Sequence, residues 1–199
     1  MIRAVVFDLG GVLASGEEVY TAPARLLSVD PAAFEALYWA ERRAYDEGGT
    51  DAAYWAPILT ALGRPATPEN VSQLAALDAR AWLVLRPTAR EVLRQVRKAG
   101  RTVVVLSNAP TALDVGLLNA DFADDADYWF LSASMGVTKP DAAAYERVEE
   151  VLDLEGEEIA FVDDRQPNVD GALRRGWRAH LWLSDADTRA WLRSLGVLP

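Results

Sequence analysis

Short apolar runs that alternate with amphipathic helical segments most constrain the fold of this 199-residue chain. The runs lack the in–out alternation of half-exposed strands, which is typical of strands that are covered on both faces. The segments between them place apolar residues at helical spacing, and several end just before a glycine. The pattern therefore predicts an α/β fold with a Rossmann-like, doubly wound parallel sheet. The predicted strands are 4–7, 102–106, 128–131, 159–162 and 179–183.

One long interval contains no convincing strand and interrupts this alternation. The helices predicted within it are 31–45, 51–62 and 68–83. The interval is far longer than an ordinary connection between a strand and a helix. We therefore expect an α/β core made of residues 1–14 and 86–199, with an α-helical cap subdomain, residues 15–85, inserted after the first strand.

Composition excludes several classes of function. The formal net charge of −10 would repel a nucleic-acid backbone, so we expect no nucleic-acid partner. The chain has no cysteine, which excludes disulfides and thiolate chemistry. No apolar stretch is long enough to cross a bilayer, and the first apolar run is too short for a signal peptide. We therefore expect a cytoplasmic protein without a membrane partner, and the sequence does not indicate its oligomeric state.

The predicted strands carry chemically active residues at their carboxyl ends. Asp8 ends the first strand, Ser107 and Asn108 end the second, and Asp163 and Asp164 end the fourth. Each residue alone has an ordinary explanation, such as a helix cap or a turn. In open α/β sheets, however, ligands bind beyond the carboxyl ends of the strands. The combination therefore predicts one site on one edge of the sheet.

Four segments that contain these residues resemble the motifs of the haloacid dehalogenase-like hydrolases. They read FDLGGVL (7–13), VVLSNA (104–109), VTKPD (137–141) and FVDDRQPN (161–168). The helical insertion is similar to the cap of the subgroup that carries it after the first strand. The resemblance implies Mg²⁺-dependent hydrolysis of a small phosphorylated metabolite, a phosphate monoester, through an aspartyl-phosphate. A dehalogenase is the weaker interpretation, because it would not need the metal-binding carboxylates and because the residues after Asp8 differ from that branch.

The resemblance implies a set of Mg²⁺ ligands. Asp8 is the nucleophile and also a ligand, because a carboxylate can attack phosphorus and supply a hard oxygen to the ion. Asp164 is a second ligand, and the backbone carbonyl of residue 10, which is Gly10, is a third. Asp163 binds the ion directly or lies just outside its ligands.

The resemblance also implies a set of phosphate-binding groups. The Ser107 hydroxyl and the Asn108 backbone N–H donate hydrogen bonds to a phosphate oxygen. Lys139 adds a positive charge that serves both catalysis and substrate binding. Phosphoryl transfer depends mainly on positioning and charge neutralisation. We therefore expect a cavity between cap and core that contains Asp8, Ser107, Lys139 and Asp164.

Gly10 occupies the position where phosphatases of this family commonly have a second aspartate. That residue protonates the leaving group and then activates water, which is typically worth about 10² to 10⁴ in rate. Three consequences stay open. The substrate has a good leaving group, as in a sugar 1-phosphate; a cap residue of the segment Tyr45-Asp46-Glu47 takes over the role; or the protein is slow or inactive and binds phosphorylated ligands without processing them.

Five further residues have both a functional and a structural interpretation. Asn168 can orient the metal-binding carboxylates, which the resemblance favours, or begin a helix as its cap. Arg165 can assist the approach of substrate or form a surface ion pair. His180, the only histidine, is expected to be structural. Trp39 and Trp55 are expected to lie in the apolar core of the cap.

Overall fold

A computed structural model describes residues 1–199 and contains one five-stranded parallel sheet. Its strands are β1 (Ala4–Phe7), β2 (Thr102–Ser107), β3 (Tyr128–Leu131), β4 (Ile159–Asp163) and β5 (Arg178–Leu181). They lie in the order β3-β2-β1-β4-β5, so β1 is central and pairs with β2 and β4. In this register, Phe7 lies between Val105 and Val162. The predicted doubly wound α/β fold is confirmed.

Eleven α-helices and two short 3₁₀ turns, Ala123–Asp125 and Gly156–Glu158, connect the strands. The helices are α1 (Thr21–Leu27), α2 (Pro31–Ala40), α3 (Arg42–Asp46), α4 (Asp51–Ala61), α5 (Pro68–Trp82), α6 (Pro87–Lys98), α7 (Thr111–Leu117), α8 (Ser132–Met135), α9 (Ala142–Leu152), α10 (Gln166–Arg174) and α11 (Asp185–Ser194). None of them combines the length and the apolar character that crossing a bilayer would require.

Both faces of the sheet are covered by helices, which explains why β1 is apolar throughout. Val5 and Phe7 belong to an apolar cluster with residues of α6 and α11. Ala4 and Val6 face the other way and pack with residues of α9 and α10. Because successive residues of a strand point to opposite faces, burial on both sides requires four consecutive apolar residues.

The helices α1 to α5 form a separate layer beyond the carboxyl edge of the sheet. They share an apolar cluster of their own, in which Phe34, Trp55, Leu59 and Leu74 are completely buried. The predicted helix 31–45 is interrupted at Glu41, and α1 is an additional helix that the pattern did not indicate. Because this layer has its own core, we propose the boundaries that the sequence suggested, with residues 15–85 as the cap.

The two chain segments that join cap and core run side by side. Ala14 and Leu85 form an isolated antiparallel bridge, and the Arg86 N–H donates to the Leu13 carbonyl at 3.0 Å. Trp82, at the end of α5, packs against the core cluster and the cap cluster together. The cap therefore enters and leaves the core at one place, directly beside the carboxyl end of β1.

Candidate active site

Three carboxylates converge at the carboxyl edge of the sheet. One oxygen of each of Asp8, Asp163 and Asp164 lies within 4.8 Å of the others. The register explains this closeness, because Phe7 is paired with Val162 and the next residues of β1 and β4 are therefore neighbours. Such a group of hard oxygens is a donor set suited to a divalent cation such as Mg²⁺.

Gly11 allows one of these carboxylates to approach the backbone after β1. Its φ of +78° lies in the left-handed region, and a Cβ at this position would be 2.3 Å from Asp164 Oδ2. The neighbouring carbonyl of Gly10 accepts no hydrogen bond from the chain and is therefore free to bind a cation. The glycine pair thus brings a carbonyl and Asp164 to the same place as the end of β1.

Lys139 is buried between two of the carboxylates. Its Nζ lies 2.9 Å from Asp8 Oδ1 and 2.7 Å from Asp163 Oδ2, and it donates to the Leu106 carbonyl at 2.7 Å. Burial alone would lower the pKa of this ammonium, but the two carboxylates raise it, so Lys139 stays charged. All three of its N–H groups are engaged within the chain, so it positions Asp8 and Asp163. A direct bond to substrate would have to replace one of these contacts.

The local charge balance favours a cation. Burial, together with the negative charges of Asp163 and Asp164, outweighs the opposing effect of Lys139 and raises the pKa of Asp8 to about 7. Burial and Asp163 also raise the pKa of Asp164. Three carboxylates therefore share a single ammonium. A divalent ion would restore neutrality and stabilise the ionised forms.

Asp163 is held in place on every side. It is completely buried, and it accepts hydrogen bonds from the Arg165 N–H at 2.8 Å and from Asn168 Nδ2 at 2.9 Å, besides the contact with Lys139. These bonds occupy both oxygens of Asp163. The geometry therefore favours a position just outside the ligands of the ion over direct binding. Asn168 orients this carboxylate and does not cap a helix, since α10 begins earlier, at Gln166.

The groups predicted to bind phosphate lie at the end of β2. Ser107 lines the cavity between sheet and cap, and its hydroxyl makes no hydrogen bond to the chain. The side chain of Asn108 pairs with the backbone of Lys139, donating to its carbonyl at 2.9 Å and accepting from its N–H at 2.8 Å. The Asn108 backbone N–H has no partner. One hydroxyl and one N–H are therefore available to an anion beside Asp8.

A cavity of about 730 Å³ lies over these groups and brings the predicted residues together. Its floor contains Asp8, Ser107, Lys139 and Asp164, as the motifs predicted. Five cap residues that complete the walls carry no sequence signal, because no motif or periodicity distinguishes them from the rest of the cap. Those residues are Tyr20, Tyr38, Arg42, Arg43 and Trp82.

The space next to Gly10 is filled by the cap. A Cβ at Gly10 would lie 3.1 Å from Cζ3 of Trp82, and one at Gly16 would lie 2.6 Å from the same atom. The indole N–H of Trp82 donates to the Tyr38 hydroxyl at 3.0 Å, which fixes the ring. The aspartate that commonly occupies position 10 in relatives is thus replaced by the edge of an aromatic ring.

The remaining candidates lie at different distances from the cavity. Trp55 is buried in the cap core as expected, but Trp39 is 47% exposed and lines the cavity, so its assignment to the core is wrong. The indole N–H of Trp39 donates a hydrogen bond to the Tyr20 hydroxyl, which keeps the Trp39 ring at the surface. Arg165 lines the cavity, is exposed and forms no ion pair. His180 contacts Asp187 at 2.6 Å and does not line the cavity.

A parallel sheet with a carboxylate cluster and a buried lysine at its carboxyl edge is typical of the α/β proteins that bind ligands at the ends of their strands. The family model described as haloacid dehalogenase-like hydrolase matches residues 2–176, and the chain belongs to this family.

Two kinds of relative are found among known proteins. The chain is 29% identical over 196 residues to phosphatase MT3486 of Mycobacterium tuberculosis (strain CDC 1551 / Oshkosh), which covers 94% of this chain and 90% of the relative. The fold of the present chain is similar to that of HAD family enzyme bt-2542 from Bacteroides thetaiotaomicron, solved in complex with magnesium and inorganic phosphate. That match has a TM-score of 0.71 and 21% identity, over 91% of this chain and 94% of the other. The fold is also similar to that of L-2-haloacid dehalogenase from Xanthobacter autotrophicus with covalently bound chloropropionic acid, with a TM-score of 0.73 and 26% identity, over 100% and 85% of the chains.

Proposed function

We propose that this protein is a Mg²⁺-dependent phosphatase that hydrolyses small phosphate monoesters by phosphorylation of Asp8. The convergence of Asp8, Asp163 and Asp164 beside Lys139 carries this proposal. A dehalogenase, whose fold is also similar, would not need an acidic cluster that attracts a cation. The magnesium and phosphate bound by a structural relative and the phosphatase name of a sequence relative support the same assignment.

The residues present fit Mg²⁺. Asp8, Asp164 and the free Gly10 carbonyl would hold the ion, while Asp163 orients Lys139 and is reached through water. When bound, Mg²⁺ would neutralise charge on the phosphate and keep Asp8 ionised below neutral pH. An octahedral ion needs further oxygens from water and substrate, which matches a site with few protein ligands.

Side chains and backbone groups of the protein would attack, bind and orient the phosphate. Lys139 holds Asp8 Oδ1, so the other carboxylate oxygen of Asp8 is left to attack phosphorus. The Ser107 hydroxyl and the Asn108 N–H would donate to oxygens of the phosphate and orient it for in-line attack. The cap covers the cavity and restricts its access to water and to large substrates.

The chemical nature of the leaving group depends on Gly10. A sugar 1-phosphate, whose anomeric oxygen is a weaker base than an ordinary alkoxide, needs less protonation and is the first substrate class to test. The missing carboxyl also favours one alternative, a slow or inactive member of the family that binds phosphorylated ligands. A cytoplasmic location stays a prediction from the sequence.

A substrate panel tests this proposal. The panel contains sugar 1-phosphates, an aryl phosphate and a 2-haloacid, each incubated with and without Mg²⁺. We expect phosphate release that requires Mg²⁺ and is abolished in Asp8→Asn, whose circular dichroism spectrum should match that of the wild type. Phosphate release retained by Asp8→Asn would show that another group is the nucleophile. Halide release would identify a dehalogenase, and ligand-dependent thermal stabilisation without turnover would identify a binder.

A further inference from the structure

The structure separates the three cap residues that the sequence left as candidates for the missing acid. The Tyr45 hydroxyl is turned into the cap, where it donates to Asp51 at 2.6 Å. The Glu47 carboxylate accepts hydrogen bonds from Arg43 and Thr138, and neither Tyr45 nor Glu47 lines the cavity. Asp46 alone of the three lines the cavity.

The Asp46 carboxyl has one oxygen fixed and one oxygen available. Oδ1 accepts from Arg42 Nε at 2.8 Å, and Oδ2 accepts no hydrogen bond from the chain. The Arg42 side chain is itself fixed by Asp78 at 3.0 Å and lies over the ring of Tyr38. A carboxyl group with this arrangement can hold a steady orientation while its second oxygen exchanges a proton.

Two contacts with the core hold the end of α3 that carries Asp46. Its backbone carbonyl accepts from the hydroxyl of Ser132, which is completely buried and also accepts from the Ala109 N–H at 2.8 Å. The next residue, Glu47, accepts from Thr138 Oγ1 at 3.0 Å. Ala109 follows the phosphate-binding residues at the end of β2, and Thr138 precedes the buried lysine. Asp46 and its neighbour Glu47 therefore attach the end of α3 to the loops that follow β2 and precede Lys139.

The glycines after Asp46 make this close attachment possible. Gly48 has a φ of +103°, and a Cβ there would lie 3.2 Å from the carbonyl oxygen of Ala133. A Cβ at Gly49 would lie 2.7 Å from the carbonyl oxygen of Ala44. Gly48 thus lets the turn after α3 lie against α8, and Gly49 lets the same turn fold back closely on α3.

We propose that Asp46 is the general acid and base of this enzyme, supplied by the cap in place of a side chain at position 10. The proposal rests on the phosphatase function proposed above. In the first step, Asp8 forms a bond to phosphorus, the bond from phosphorus to the ester oxygen breaks, and that oxygen takes the proton of Asp46. In the second step, water attacks the phosphorus of phospho-Asp8 and gives a proton to Asp46, and inorganic phosphate and the Asp8 carboxylate are released.

The electrostatic surroundings of Asp46 are compatible with this role. Burial and the charges of Asp78 and Glu47 outweigh the opposing effect of Arg42 and raise the pKa of Asp46 to about 6. Arg43, the other cation nearby, pairs with Glu47 and with Asp141. A group whose pKa lies near the working pH can both donate and accept a proton during one cycle.

Leaving-group dependence tests the role of Asp46. We would measure kcat/KM of the wild type and of Asp46→Asn for an alkyl phosphate and for 4-nitrophenyl phosphate, with Mg²⁺. Because an alkoxide needs protonation far more than a nitrophenolate does, Asp46→Asn should lower kcat/KM by about 10²- to 10⁴-fold for the alkyl ester. The fall for the aryl ester should be less than about 10-fold. Glu69→Gln, which removes an exposed carboxyl of the cap that does not line the cavity, should change both esters by the same factor.

Each outcome of the kcat/KM comparison either supports or overturns the role of Asp46. An equal fall for both esters, or no fall, would overturn the role of Asp46 while leaving the phosphatase assignment intact. No hydrolysis of either ester by the wild type would overturn both. Should Asp46→Asn fold poorly, the pH dependence of the wild type replaces it. The ratio of the alkyl to the aryl kcat/KM should fall about 10-fold per pH unit once Asp46 is ionised, and a constant ratio would contradict the proposal.

Discussion

Replacing Lys139 by methionine would test how strongly the site contributes to the stability of the fold. The ammonium is buried and bonded to Asp8, Asp163 and the carbonyl of Leu106. Methionine keeps most of the apolar stem but leaves two carboxylates and a carbonyl without their donor. Removing one partner of a buried ion pair typically costs about 3 to 5 kcal/mol, because the remaining charge stays buried without compensation.

Lys139→Met leaves both Asp8 and Asp163 unpaired, but protonation of Asp8 relieves part of that charge. The expected loss of unfolding free energy at pH 7 is therefore about 3 to 5 kcal/mol. For a chain of this size, that loss corresponds to a decrease in Tm of roughly 6 to 20 °C. The loss should shrink as the pH is lowered toward 5. The variant raises the pKa values of the unpaired carboxylates in the folded state, so its stability is greatest where they are protonated and decreases as pH rises.

Urea unfolding followed by circular dichroism measures this loss. Lys98→Met is the matched control, because Lys98 is the only other lysine of the chain and lies exposed at the end of α6. The control should stay within about 0.5 kcal/mol of the wild type. A loss below about 1 kcal/mol for Lys139→Met, or one independent of pH, would refute the view that Lys139 compensates buried negative charge.

Three further predictions concern the same site. Burial and like charges raise the pKa values of Asp8, to about 7, and of Asp164, so protons compete with Mg²⁺. Mg²⁺ affinity measured by calorimetry should increase as pH rises from 5.5 to 7.5, by up to about 10-fold per unit for each proton displaced, and a constant affinity would contradict this. Gly11→Ala should lower the free energy of unfolding by about 1 to 2 kcal/mol, because φ is +78°. It should also weaken Mg²⁺ binding by displacing Asp164. Unchanged unfolding and Mg²⁺ binding would disprove the close approach of Asp164 to Gly11. Ser107→Ala should raise KM for phosphate esters without changing urea stability, because the hydroxyl has no partner within the chain, and a KM equal to that of the wild type would exclude it from binding.

The sequence determined the core and the floor of the site. The predicted strand 4–7 matches β1, and the predicted strand 159–162 matches β4 to within one residue, because burial on both faces leaves a clear local pattern. The convergence of Asp8 with Asp164 also follows from sequence, since parallel strands place their carboxyl ends on one edge of a sheet. Polar residues at the ends of buried strands therefore predict the floor of the site from sequence alone.

Only the tertiary structure decided how the cap completes the site. Asp46 and Glu47 are adjacent carboxylates with similar local sequence, and the way in which α3 docks on the core places only the first of them in the cavity. Likewise, the Trp82 ring lies beside Gly10, a residue distant in the chain, and Trp39 is exposed although its helix position resembles that of a core residue. Local sequence encodes the period of an element, whereas the contacts between elements depend on how separate parts of the chain pack together.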